Sequence, residues 1–266
     1  MALPRMRPQD GVAWITGASS GIGEAVALEL ARRGWTVAIT ARRLEQLEGI
    51  ARAAEGLAGR IVAHAGDVTD ISSMQAVVDG IERVHGPIAL AFLNAGVAPG
   101  TRGGALDIET LERTFAVNLF GVARGLAAVL ERMKPRKQGQ IAVNASIAGY
   151  RGIPNAAAYG SSKAAAIHLC ESMKFECDGL GIRLQVVNPG FVDTPLTRRN
   201  AFPMPFLMAG DEAARRIVDG FERGGFVISF PRRLDWLMTA ARLLPYPVYF
   251  WLIARATRGR PYEKRD

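Results

Sequence analysis

Cysteine is nearly absent: Cys170 and Cys177 are the only two in 266 residues, too few for a disulfide framework. Histidine is almost as scarce. His64, His85 and His168 stand far apart, and no Cys/His group has the spacing of a zinc site. The three histidines are therefore read as structural or solvated. The two cysteines, seven apart on one predicted helix, are read as buried reduced thiols. There is no internal repeat and no low-complexity linker, and the 29 glycines lack the strict period of collagen. With 49% hydrophobic residues the chain is too apolar for disorder, and its length fits one large α/β domain or two small domains. The first eleven residues carry Arg5 and Arg7 with no apolar run behind them, so a cleaved secretory signal is not expected and a reducing cytoplasm is the default compartment.

Acidic residues are outnumbered. The formal charge is +8 and the isoelectric point is near 10.0, which invites a nucleic-acid reading. The excess is unevenly placed: residues 230–266 hold eight basic side chains against three acids, or +5 of the total, and the body is close to balance. That tail contains no nucleic-acid module, so no nucleic-acid partner is expected.

Short apolar runs predict strands at 12–16, 36–40, 61–65, 88–93, 140–144, 183–187 and 226–230. Helical patterns lie between them at 22–33, 44–54, 72–84, 110–133, 157–178 and 211–222. Repeated strand–helix–strand order predicts a doubly wound, Rossmann-like parallel sheet with helices on both faces. Residues 1–230 are expected to form this domain, and 231–266 a C-terminal extension. Ligands of such sheets bind beyond the carboxyl ends of the strands, where the informative residues should lie.

After the first predicted strand comes Thr16-Gly17-Ala18-Ser19-Ser20-Gly21-Ile22-Gly23, opening into a helix. Glycines permit positive φ and close approach of backbone to ligand, and a helix N-terminus favours an anion. A tight strand–helix turn would use the same residues, but this position in a βαβ unit favours a dinucleotide phosphate site. The second strand runs into Ala41-Arg42-Arg43, and no acid occurs between Glu29 and Glu45. A site for NAD usually places an acid here to hold the ribose 2′-hydroxyl. Arg42 is either a solvated helix-entry residue or a fork for a 2′-phosphate, and NADP(H) is preferred over NAD(H).

Asn144-Ala145-Ser146 follows the fifth strand, and Tyr159 and Lys163 lie four apart on one predicted helix face. A free tyrosine titrates near pH 10. A neighbouring ammonium lowers that value, so a positioned tyrosine can act as acid or base. Together, Thr16–Gly23, Asn94-Ala95-Gly96, Asn118, Ser146, Tyr159-x-x-x-Lys163 and Pro189-Gly190 resemble the short-chain dehydrogenase/reductase family in its compact form, over about residues 10–230.

The resemblance implies roles. Ser146 would bind the substrate oxygen, Tyr159 would transfer the proton, and Lys163 would hold the nicotinamide ribose and depress the tyrosine pKa. Asn118 would hold a relay water. Gly17, Ser19, Ser20, Gly21, Ile22 and Gly23 would line the phosphates, and Asp67 and Val68 would contact the adenine. Asn94, Ala95 and Gly96 match the family's Asn-Asn-Ala-Gly element with Leu93 in place of its first asparagine. Pro189, Gly190, Val192 and Thr194 would grip the nicotinamide carboxamide. The expected activity is interconversion of a carbonyl and a secondary alcohol, in a homodimer or homotetramer. A non-catalytic dinucleotide-binding scaffold or sensor is the alternative.

Between Thr194 and Asp211, Phe202, Met204, Phe206 and Met208 offer an apolar wall for a small-molecule substrate. Arg198 and Arg199 there are read as solvated ahead of contacting an acidic substrate. Residues 234–253 are mostly apolar, but two charges and Pro245-x-Pro247 argue against a membrane span. Two readings of this tail stand: packing over the substrate mouth or a partner subunit, which is slightly favoured, and peripheral contact with anionic lipid at the inner face of a membrane.

Overall fold

The computed structural model describes residues 3–99, 106–199 and 204–257. Seven strands form one parallel sheet: β1 (Val12–Thr16), β2 (Thr36–Ala41), β3 (Arg60–Ala65), β4 (Ile88–Leu93), β5 (Gly139–Asn144), β6 (Ile182–Pro189) and β7 (Val227–Phe230). Their order is β3-β2-β1-β4-β5-β6-β7. The predicted strands agree with these bounds to within two residues. The chain reverses its direction of travel across the sheet between β3 and β4, so the switch-point crevice opens beyond the carboxyl ends of β1 and β4.

Both faces of the sheet are covered, which is why the strands are nearly continuous in apolar residues. Alternate residues of β1 serve different cores. Ala13 and Ile15 pack with α1 (Gly21–Arg32), α2 (Leu44–Ala53) and α7 (Gly210–Arg223) through Val26, Leu30, Leu47, Ile217 and Phe221. Val12 and Trp14 face α3 (Ile71–His85), α5 (Gly121–Arg136) and α6 (Ala157–Gly179) through Met74, Ile81, Val129 and Met133. Cys170 and Cys177 lie in this second core as free thiols, and burial pushes their pKa up to about 12 and about 11.

Three features depart from the periodicity-based expectation. The helix expected at 110–133 begins earlier, at α4 (Ile108–Phe115), where Asp107 accepts a hydrogen bond from the Thr110 N–H as cap. It then passes through a π-helical turn, Ala116–Phe120, before continuing as α5. The whole stretch Ile108–Arg136 is long and apolar enough to cross a membrane, but half of its most apolar window is buried inside the fold. Second, His64 and His85 are not isolated from one another. The β3–α3 packing brings their rings edge to face at 5.3 Å between centroids, and burial holds both below the usual histidine range. Third, the tail folds as two helices, α8 (Arg232–Leu243) and α9 (Tyr246–Thr257), divided at Leu244-Pro245. Pro247 sits in the first turn of α9, where a helix needs no N–H donor.

A buried amide pair fastens the far end of the sheet. Gln140 Nε2 donates to Gln185 Oε1 at 2.7 Å and to the Phe221 carbonyl at 3.0 Å, and Gln140 Oε1 accepts from the Met6 N–H at 3.0 Å. Gln185 in turn donates to the Gly220 and Gly225 carbonyls. Gln140→Leu would orphan several of these groups together. It should cost about 2–4 kcal/mol in urea titration while leaving dinucleotide affinity unchanged; a loss within experimental error would show that the network is dispensable.

Candidate active site

The glycine loop is shaped by what it must touch. Gly17 has φ +66°, and a Cβ there would stand 2.5 Å from the Ala95 Cα. A Cβ on Gly23 would stand 2.5 Å from Asn94 Nδ2 and 2.6 Å from the Gly17 carbonyl oxygen. The turn is therefore drawn hard against the end of β4, and α1 starts with the N–H groups of its first turn unpaired by a side-chain cap. Ser19 and Ser20 lie on this turn, Ser20 exposed as the N-cap, and Ile22 is partly buried behind it.

Asn94 holds the loop in place. Its Nδ2 donates to the Thr16 and Gly17 carbonyls at 3.2 and 3.1 Å, and its backbone N–H donates to Thr16 Oγ1 at 3.0 Å. Its Oδ1 accepts from Asn144 Nδ2 at 2.8 Å. With its side chain engaged in this way, Asn94 braces the loop across to β5 and has little left for a ligand. Thr16 and Asn144 stand within the motifs read from the sequence but carried no assigned role there; their positions at strand ends were the available signal.

The Asn144 carbonyl accepts a 2.6 Å hydrogen bond from Lys163 Nζ. Lys163 is almost wholly buried, and burial lowers its pKa to about 8. Its Nζ lies 5.9 Å from the centre of the Tyr159 ring and beside Gly96, where a Cβ would stand 3.4 Å away. Ser146 caps the 3-10 turn Ile147–Gly149, with its Oγ accepting from the Ala148 N–H at 3.1 Å, and shares a hydrogen bond with the Tyr159 phenol. Gly149 permits this meeting: a Cβ there would come within 2.8 Å of the Lys163–Ala164 backbone.

Burial raises the Tyr159 pKa, and the Ser146 hydrogen bond only partly opposes it. Lys163 Nζ, 5.9 Å from the centre of the tyrosine ring, is not among the groups that move this pKa in the cofactor-free chain. Asn118 lies in the π turn, fully buried. Its Oδ1 accepts from the Val97 N–H at 2.8 Å, and its Nδ2 donates to the Val97 carbonyl at 2.9 Å and to Ser162 Oγ at 3.0 Å. The wider turn carries Asn118 onto both the β4 loop and the catalytic helix.

Beyond the end of β3, Asp67 Oδ1 accepts from the Thr69 N–H and hydroxyl, which holds its carboxyl below the usual range, with help from Arg42 and Arg124. Val68 packs on Gly121. Arg42 is exposed at the end of β2, and Arg124, which the sequence did not single out, has one guanidinium nitrogen buried without a partner among the described residues. Pro189 ends β6. Gly190 donates to the Phe230 carbonyl at 2.7 Å, Val192 is buried, and the Thr194 side chain approaches the glycine loop at Gly21.

The substrate segment is only partly as expected. Met208 pairs with Val192 and is buried in the core, so it does not line an open wall. Phe206 is exposed, Met204 is partly buried, and Phe202 lies outside the described residues. Arg198 is held by Asp193 at 2.7 Å on the surface; Arg199 belongs to the same short 3-10 turn.

The model of the short chain dehydrogenase family matches residues 11–202. Over 237 residues the chain is 37% identical to an uncharacterized oxidoreductase of Myxococcus xanthus, covering 89% of this chain and 94% of that one. It is 33% identical over 194 residues to a 3-oxoacyl-[acyl-carrier-protein] reductase of Thermotoga maritima, covering 73% and 79%. An alcohol dehydrogenase of Thermococcus sibiricus, solved with 5-hydroxy-NADP, superposes with a TM-score of 0.74 at 31% identity over 83% of this chain and 94% of that one. The chain belongs to the short-chain dehydrogenase family. It is an enzyme, an oxidoreductase of alcohol or carbonyl groups that binds a nicotinamide dinucleotide, and the scaffold alternative falls away. The glycine cradle fits such a group, since the backbone is pressed against β4 where a side chain would fill the space.

Burial of Lys163 has a measurable consequence. Folded, it titrates near 8; exposed, near 10.5. Below pH 8 both states are protonated and the folded one bears the full penalty of the buried ammonium, about 3 kcal/mol. Between pH 8 and 10.5 the folded state loses its proton first and the penalty fades. Relative to Lys163→Met, the cofactor-free wild type should therefore gain about 3 kcal/mol of stability from pH 7 to pH 10.5 in urea titrations. A difference independent of pH would contradict the assignment.

Proposed function

We propose that the protein is an NADP(H)-dependent oxidoreductase that interconverts a carbonyl and a secondary alcohol on an apolar small molecule, with Tyr159 as the proton-transfer group. The observation that carries this reading is the convergence of Ser146, Tyr159 and Lys163 beside the glycine loop, through the Ser146–Tyr159 hydrogen bond and the Lys163–Asn144 contact. When bound, the nicotinamide supplies or accepts the hydride. Ser146 orients the substrate oxygen, and the Tyr159 hydroxyl gives that oxygen a proton in reduction and takes one in oxidation. Lys163 brings positive charge to the ribose side of the tyrosine, and Asn118 keeps the Val97 backbone and Ser162 in place behind it. The dry surroundings that raise the tyrosine pKa also strengthen each of these polar contacts.

The choice of NADP(H) rests on the end of β2. Ala41 offers no carboxylate to repel a 2′-phosphate, Arg42 is exposed there, and Arg124 adds a second cation near Asp67. Apolar substrate preference rests on Met204 and Phe206 in the segment between Thr194 and α7. The reading carries with it a cytoplasmic homodimer or homotetramer.

Two measurements test it. Tyr159→Phe should lower kcat by on the order of 10³-fold with NADPH affinity retained; full turnover would remove Tyr159 from the proton transfer. In fluorescence titrations, Arg42→Ala should weaken NADPH on the order of 10- to 100-fold and leave NADH unchanged. Equal weakening of both, or tighter binding of NADH by the wild type, would contradict the 2′-phosphate assignment.

A further inference from the structure

The C-terminal helix pair is docked by one stripe only. Tyr249 is buried and its hydroxyl donates to the Gly152 carbonyl at 2.7 Å; Leu234 is buried against Gly190. The Arg151 guanidinium donates to the Ala241 and Leu244 carbonyls and lies over the rings of Tyr246 and Tyr249. Tyr150 donates to Asp235 Oδ1 at 2.8 Å. Residues 150–152 follow directly on the turn that Ser146 caps, so α8 and α9 sit at the edge of the catalytic crevice.

Among the described residues, the other sides of both helices carry large exposed side chains. Helical spacing places Trp236 and Leu243 opposite Leu234 on α8, and Trp251 opposite Tyr249 on α9. Trp236 is 65% exposed, Leu243 85% and Trp251 61%, with Leu237 and Phe250 comparably open. This concentration of large apolar side chains is more than scattered surface residues explain. Arg232, Arg233, Arg242 and Arg255 are exposed on the same two helices. Arg232 lies over the Trp236 ring at 5.4 Å and Arg255 over Trp251 at 5.9 Å. The sole acid from 231 to 257 is Asp235, and it is turned to Tyr150.

We propose that this face of α8 and α9 seats the enzyme on an anionic phospholipid surface. Tryptophan with arginine at its ring suits the headgroup boundary, where one end of the side chain is apolar and the other wet. On the described residues of α8 and α9, positive charge stands beside a single carboxylate, Asp235, which is engaged with Tyr150, and this complements anionic lipid. A second copy fits less well, because a two-fold interface would set the same arginines against one another. Since the docked stripe adjoins the crevice, the seat places the substrate entrance next to the bilayer. The proposal is independent of the cofactor and proton-transfer assignments, and its test needs no turnover.

The full chain is titrated with phosphatidylcholine vesicles with and without phosphatidylglycerol, following tryptophan fluorescence. Trp14 and Trp35 are buried, so Trp236 and Trp251 report the contact. The wild type should sediment with the anionic vesicles, shift to the blue, and be quenched by lipids brominated along the acyl chain. Arg232→Gln, Arg233→Gln and Arg255→Gln together should weaken binding about a hundredfold, at about fivefold per arginine. Trp236→Ser with Trp251→Ser should lose about tenfold or more with an unchanged melting temperature. Three results would overturn the proposal: no anionic-vesicle binding by the wild type, equal binding to neutral vesicles, or a concentration-dependent dimer that the tryptophan pair disrupts while no vesicle binds. Quenching in the wild type decides the matter even where a variant fails to fold.

Discussion

A single run of buried polar contacts joins the two halves of the site. The carbonyls of Thr16 and Gly17 accept from Asn94, Asn94 accepts from Asn144, and the Asn144 carbonyl accepts from Lys163. The first of these groups fixes the glycine loop at the end of β1, and the last is the buried cation of α6. Polar groups this deep cannot shift independently without leaving donors or acceptors unpaired, at a cost of about 1–3 kcal/mol each. The loop, the sheet ends and the helix therefore share one register. The pressed contacts at Gly17, Gly23 and Gly149 are the steric counterpart of that constraint.

Burial does two opposing things in this site. It sharpens every hydrogen bond around Ser146, Tyr159 and Asn118, and it disfavours the charged forms of Lys163 and Tyr159 together. The lysine is brought down to about 8 and the tyrosine is pushed above its usual range, both by desolvation. Stability to hold this buried pair comes from the apolar layers on both faces of the sheet and from the Gln140–Gln185 network far from the chemistry.

Most of the fold was legible because continuous apolar strands alternate with helical periods, and the strand ends carried the glycine, asparagine and serine motifs. The departures have physical causes. The π turn is invisible to periodicity, since it is the side chain of Asn118 reaching Val97 and Ser162 that goes with the widened turn. The meeting of His64 with His85 and of Tyr150 with Asp235 joins residues 21 and 85 apart, which only the packing of separate elements brings together. Met208 reads in sequence as part of an apolar substrate wall but pairs with Val192 and enters the core. Asn94, expected to touch the cofactor, also braces the glycine loop through Thr16 and Gly17, a contact between residues 78 and 77 apart that the sequence does not display.

The polar run is tested most directly by a double-mutant cycle on kcat/KM with Asn94→Ala and Asn144→Ala. If the phosphate loop and the catalytic lysine are coupled through this pair, each single change will cost nearly as much as both together. The coupling energy should then be about 1 kcal/mol or more. Strictly additive effects would mean that the two halves of the site are positioned separately, and would contradict the account.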